Sequence, residues 1–255
     1  MNRTLEKAGT IDIRVSAPPS KSYTHRAMIA AGLAEGESTI ERPLRSGDTS
    51  ITASALQQMG VPLAWEGEQI VVSGTGGKPA CDEYSILDMG DSGTSLRLLT
   101  TVALLCKVPV VITGSARMKE RPVEGLVSAL NNIGGGIQYL EAAGFPPFLV
   151  DGILLGGKVR VDSTISSQFA SSLLLSAPYA EYGIELHLPL GAVSRSYLDV
   201  TVDVMQAFGV TVEAQGYEQF IVKPGRCYQG RNYRVEGDYS SAAYFFAMAA
   251  VCGGR

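Results

Sequence analysis

Apolar positions along the chain switch repeatedly between a period of two and a period near 3.6, and the switches keep one order. Residues 9–16 (GTIDIRVS) alternate Ile11, Ile13 and Val15 with polar side chains and predict a strand, which Pro18 and Pro19 end. A helix follows through Ala27, Ile29, Ala30 and Leu33, then a short strand over 38–43. A second helix runs through Ile51, Ala55, Leu56 and Met59, with Asp48 as its cap and Gly60 as its stop. Strands 61–66 and 69–73 form a hairpin across Gly67 and Glu68. The order recurs as strand 84–89, a helix from Ser92 or Gly93 to 105, strand 108–113, helix 122–133 and strands 137–140 and 148–150. It recurs again as strand 158–161, helix 167–175, strand 184–188, helix 197–208 and a hairpin of 210–214 with 219–222.

Glycines place the period: Gly60, Gly134 and Gly209, which close the second helices, lie 74 and 75 residues apart. The polar openings of the first helices, Ser20, Ser92, Ser166 and Ser240, are spaced 72, 74 and 74 residues apart. Such self-similarity marks three units of strand, helix, strand, helix, strand, strand, bounded near 17–80, 81–155 and 156–232. A fourth unit opens at Tyr233 with a strand and an apolar helix over 242–251, and its remaining strands do not follow. A helix apolar on all sides needs a surface to cover, so the expectation is the front portion of a longer protein.

The 255 residues are 45% hydrophobic and 18% charged, enough for one or two ordinary globular domains. A formal charge of -4 argues against a general nucleic-acid binder, so an anion site would have to be local and its ligand small. Four cysteines without a Cys-x-x-Cys pair, and two histidines without ligand spacing, predict neither metal nor a disulfide framework. No basic-then-apolar leader and no apolar run near the ~20 residues of a bilayer span are present; no membrane association and a cytoplasmic location are expected.

The stretch APPSKSYTHR sets Lys21 and Arg26 at the opening of a helix that Ser20 or Ser22 can cap. A helix N-terminus carries roughly half a positive charge, so cations there cost a few tenths of a kcal/mol unless an anion shares the site. The recurring serine openings read either as simple N-caps or as several helix N-termini converging on one anion.

The stretches PSKSYTHRAMIAAGLAEG, GDSGTSLRLL, MKERPVEGL, STISSQFASSLLL, VSRSYLDVT and DYSSAAYFFAMAAVCGG together resemble the 5-enolpyruvylshikimate-3-phosphate (EPSP) synthase family, in order and at its spacing, across essentially the whole chain. The resemblance implies an α/β fold, an inside-out α/β barrel lobe of three βαβαββ repeats with helices inside a ring of sheets. It assigns 17–234 to the N-terminal lobe and both the strand in 1–16 and residues 235–255 to a second lobe. It further implies that Lys21, Ser22, Arg26, Ser166, Ser167, Gln168, Ser194 and Tyr197 bind shikimate 3-phosphate, and that Lys21, Gly93, Thr94, Arg121 and Gln168 bind phosphoenolpyruvate. The implied reaction moves the enolpyruvyl group of phosphoenolpyruvate to the 5-hydroxyl of shikimate 3-phosphate, without cofactor, in a protein that is monomeric when intact. The proton donors and acceptor are expected in the second half, so no catalytic residue is assigned here and the chain is expected to bind substrate without turnover. Asp91 and Leu98 stand where many bacterial members have Asn and Pro. Two other readings remain: the sister family acting on UDP-N-acetylglucosamine, and a non-catalytic phosphopolyol-binding module. Against the first stand PSKSYTHR and the lack of a cysteine in the loop over 107–120.

Overall fold

The computed structural model describes residues 9–189 and 193–254. The first unit contains α1 (Lys21–Leu33), β1 (Glu37–Glu41), α2 (Gly47–Gln58), β2 (Leu63–Glu66) and β3 (Gln69–Ser73). The second contains β4 (Ser85–Asp88), α3 (Gly93–Ala103), β5 (Val110–Thr113), α4 (Glu124–Asn131), β6 (Ile137–Tyr139) and β7 (Phe148–Val150). The third contains β8 (Gly157–Arg160), α5 (Ser167–Ser176), β9 (Ile184–His187), α6 (Ser196–Ala207), β10 (Glu213–Gln215) and β11 (Gln219–Val222). Strand β12 (Asn232–Arg234) and helix α7 (Tyr239–Cys252) follow.

Local chemistry accounts for the helix ends. The hydroxyls of Ser20, Ser92 and Ser166 accept from the amides of Tyr23, Ser95 and Gln168, satisfying donors that the first helical turn leaves open. Gly60, Gly134 and Gly209 stop α2, α4 and α6 at φ values of 73°, 99° and 89°, a region that a Cβ makes costly. Three expectations are corrected. Ser46 caps α2 through a reciprocal pair with Thr49, and Asp48 sits inside the first turn, free to use its carboxylate elsewhere. Asp238, rather than Ser240, caps α7. Helix α4 begins at Glu124 rather than at Pro122, whose ring favours the extended backbone seen at Arg121.

The second and third units form sheets of one design, β4-β5-β7-β6 and β8-β9-β11-β10, with the first pair parallel and the others antiparallel. The first sheet has the same design, β12-β1-β3-β2, but its leading strand comes from the far end of the chain, with Ile40 opposite Tyr233. The strand expected to open a fourth unit therefore completes the first. Residues 9–16, expected as a strand, are not one: alternation alone makes no ladder, which needs the N–H and C=O groups of a partner strand, and this segment joins none of the three sheets. Residues 11–15 instead share a groove with Phe245, Phe246 and Met248 of α7. Residues 1–8, the rest of the segment 1–16 assigned to the second lobe, lie outside the described residues.

Helices pack on one another inside the sheets: α1 meets α2, α5 and α6, and α3 meets α2 and α5. Apolar side chains such as Met28, Leu99, Phe169 and Phe208 fill the space between helices and sheets. Where helix meets helix, hydroxyls replace them. Thr52 bonds Ser95 at 2.7 Å, Thr101 bonds Ser172 at 2.7 Å and Ser171 bonds Thr201 at 2.8 Å, so these buried polar groups are satisfied across the seams. Small side chains let the helix starts approach one another, which sets up the site. No helix among the described residues is long and apolar enough to cross a membrane.

Candidate anion-binding site

The starts of α1, α3, α5 and α6 open on one cavity of about 290 Å³. Each brings the positive end of a helix to it, an arrangement suited to an anion. Lys21, Ser22 and Arg26 come from α1, Ser166, Ser167 and Gln168 from the start of α5, and Ser194 and Tyr197 from the turn into α6. Thr94, one of the residues expected for phosphoenolpyruvate, comes from α3, where Arg97 also lines the wall.

Arg26 is the most telling side chain. It is 1% exposed, yet among the described residues its guanidinium bonds only neutral groups: Nε to the Thr201 hydroxyl at 2.7 Å, Nη1 to the Ser22 carbonyl at 3.1 Å, and Nη2 to the Ser171 hydroxyl at 3.0 Å and the Tyr197 carbonyl at 3.3 Å. Burial pulls its pKa down to about 10, which still leaves it charged at neutral pH. Among the described residues no carboxylate lies within salt-bridge distance of Arg26, Arg97 or Arg121. An ordinary structural salt bridge is thereby removed as the explanation of Arg26.

Lys21 differs, because its Nζ pairs with Asp48 Oδ2 at 2.9 Å. Both side chains are partly exposed, and pairs of that kind contribute no more than about 1 kcal/mol. The ammonium can therefore turn to a bound anion at little cost.

A second cationic patch adjoins the cavity. Arg97 Nη1 donates to Gln168 Oε1 at 2.9 Å, and Gln168 Nε2 donates to Thr94 Oγ1 at 3.0 Å, which fixes the amide's orientation. Gly93 and Arg121 do not line the cavity; they touch each other next to Thr94. A Cβ on Gly93 would lie 2.7 Å from Arg121 Nη1, so a larger residue there would push the guanidinium off the place it takes on this turn. Burial and then the charge of Arg121 lower the pKa of Arg97, as expected for two cations held close without an acid. Asp91 accepts from the Ser115 hydroxyl at 2.5 Å, and Leu98 is fully buried.

Arg97 was not among the residues expected at the site. Its signal is present in GDSGTSLR, since Arg97 stands three residues after Thr94 and thus on the same helix face. Ile165 and Val193, exposed at the cavity mouth, carried no such signal. Ser194 adopts φ 53°, uncommon for a residue with a Cβ, and its carbonyl accepts the Tyr197 amide to start α6.

The sequence profile of the family described as EPSP synthase (3-phosphoshikimate 1-carboxyvinyltransferase) matches residues 5–255. A protein named 3-phosphoshikimate 1-carboxyvinyltransferase from Methanoculleus marisnigri is 56% identical over 252 residues, covering 98% of this chain and 60% of that protein. One of the same name from Escherichia coli O1:K1 is 39% identical, again over 98% of this chain and 60% of that protein. The solved EPSP synthase from Acinetobacter baumannii superposes with a TM-score of 0.84 at 29% identity, covering 95% of this chain and 54% of that one. The chain thus spans about 60% of the length of the curated relatives it matches.

Proposed function

The chain belongs to the EPSP synthase family, and from that premise we propose that its cavity holds shikimate 3-phosphate, beside phosphoenolpyruvate, for enolpyruvyl transfer to the 5-hydroxyl with release of phosphate. The observation that carries this reading is Arg26, a buried cation with neutral partners opening on four helix N-termini. In this reading Ser166, Ser167 and Ser194 take the phosphate of shikimate 3-phosphate, and the Gln168 amide meets its ring hydroxyls. Lys21 stands between the two anions, where a compact charge with three rotatable donors serves both. Thr94, Gly93, Arg97 and Arg121 take phosphoenolpyruvate, the planar guanidinium groups matching a carboxylate or phosphate with paired bonds.

Transfer by addition and elimination needs one group to protonate the methylene carbon and another to accept the hydroxyl proton. Among the described residues no Asp, Glu or His lines the cavity. In this reading the residues of this chain serve positioning and charge balance, and the acid and base belong to another part of the full-length enzyme. Both ligands are small soluble anions, in keeping with a cytoplasmic enzyme.

Titration calorimetry with each ligand, together with a phosphate-release assay on this chain, tests the reading. Shikimate 3-phosphate binds measurably, phosphoenolpyruvate binds more weakly, and turnover is absent, since each missing acid or base is worth roughly 10²- to 10⁴-fold. Turnover at the rate of a full-length relative would show that the proton-transfer groups lie in this chain. Equal affinities would show that the contacts have been divided wrongly.

A further inference from the structure

Away from the cavity, two thiols that the proposed chemistry does not use face each other. Cys81 lies in the connection between β3 and β4, and Cys106 ends the 3₁₀ turn (Leu104–Cys106) that continues α3. Their Sγ atoms are 2.8 Å apart although 25 residues separate them. A disulfide bond is about 2.05 Å long, so closure needs a shift of under ~1 Å. Access to the two sulfurs is unequal. Cys106 is 9% exposed, whereas Cys81 is only half-buried.

The two sulfurs lie at hydrogen-bond distance, and either thiol can be the donor. That hydrogen bond lowers the pKa of Cys81 and, together with burial, raises that of Cys106. The reachable sulfur is thus the more readily ionised one, and a shielded thiol waits beside it, which is the arrangement of an attacking and a resolving cysteine. Neither Cys227 nor Cys252 has a thiol neighbour of this kind among the described residues.

We propose that Cys81 and Cys106 form a reversible dithiol–disulfide pair, a modification site whose oxidant is a low-molecular-weight disulfide. In the first step the Cys81 thiolate attacks one sulfur of the reagent and expels the other as a thiolate, leaving Cys81 in a mixed disulfide. Cys106 then gives up its proton, its sulfur attacks Cys81 Sγ, and the second reagent thiolate leaves. Two protein thiols lose two electrons, and the reagent disulfide is reduced to two thiols. The bond ties the β3–β4 connection to one end of α3, the helix that carries Thr94 and Arg97 at its other end. It closes a loop containing β4 and all of α3, and so restricts the unfolded chain more than the folded one.

The test uses the whole chain, equilibrated in buffers of increasing glutathione disulfide to glutathione ratio, alkylated and mapped by peptide mass. The expected product is a peptide pair linked through 81 and 106, released by dithiothreitol, with Tm higher by roughly 5–10 °C in the linked form. Cys106→Ser should stop at a glutathione adduct on Cys81, and Cys81→Ser should leave Cys106 unmodified. Failure to form the link in the most oxidising buffer, or accumulation of the Cys81 adduct in the unaltered chain, would overturn the proposal. Should either variant not fold, the peptide map of the unaltered chain decides alone.

Discussion

Helices α1 and α7 are made of similar material and meet opposite fates. Their sequences, KSYTHRAMIAAGL and YSSAAYFFAMAAVC, are both rich in alanine, and neither divides cleanly into an apolar and a polar face. In α1 every residue from Thr24 to Leu33 is buried, His25 and Arg26 included. In α7 none is buried, and Tyr244 and Val251 are 80% and 85% exposed. The difference lies in the cover. Around α1 stand α2, α5, α6, β1 and β3, and their hydroxyls reach its two buried bases. A helix without a polar face announces that it needs surroundings on all sides; whether they arrive is settled by other segments.

If burial is what separates the two helices, the largest effect belongs to His25. Its Nδ1 lies 2.7 Å from the Thr52 hydroxyl, its Nε2 has no partner among the described residues, and burial pushes its pKa down to about 3 from 6.5. Between these values the unfolded chain takes up a proton that the folded chain refuses. The stability this group confers is therefore present above about pH 6.5 and lost as pH falls toward 3, by about 5 kcal/mol in all. Denaturant unfolding from pH 7.5 to 4 should show a steeper decline for the unaltered chain than for His25→Gln; equal slopes would mean that α1 is less enclosed than described. Next comes Leu33→Ala, which removes a fully buried side chain and should cost about 2–5 kcal/mol in the same assay.

Arg26→Gln carries the comparison into the site. It keeps some of the hydrogen bonds to Thr201 and Ser171 but loses the charge, and affinity for shikimate 3-phosphate should fall roughly ten- to hundredfold by calorimetry. An unchanged affinity would make Arg26 a purely structural cation. The smallest effect is expected at Phe246, 64% exposed on α7. Phe246→Ser in this chain should alter unfolding stability by no more than about 0.5 kcal/mol. A loss near 2 kcal/mol would show α7 to be covered in solution and would erase the contrast with α1.

What the sequence determined by itself is written within a few neighbouring residues. The caps at Ser20, Ser92 and Ser166 and the left-handed stops at Gly60, Gly134 and Gly209 each depend on a single turn of chain, so their spacing revealed three units before any contact was known. Most of the lining of the candidate cavity was legible for the same reason: it is assembled from those helix starts, and the cations beside them lie in short motifs. The tertiary structure alone decided matters that join distant segments. It gave the first sheet its leading strand from residues 232–234 and left residues 9–16 outside the three sheets. It matched Arg26 with Thr201, 175 positions away, turned Asp48 from a cap into the partner of Lys21, and brought Cys81 against Cys106. Local signals report what a segment requires of its surroundings, and a hydrogen-bond donor, a sheet edge or a buried charge can be satisfied by any of several remote groups. Which of them arrives depends on how the units pack, because that energy belongs to the whole core and to no single stretch of it.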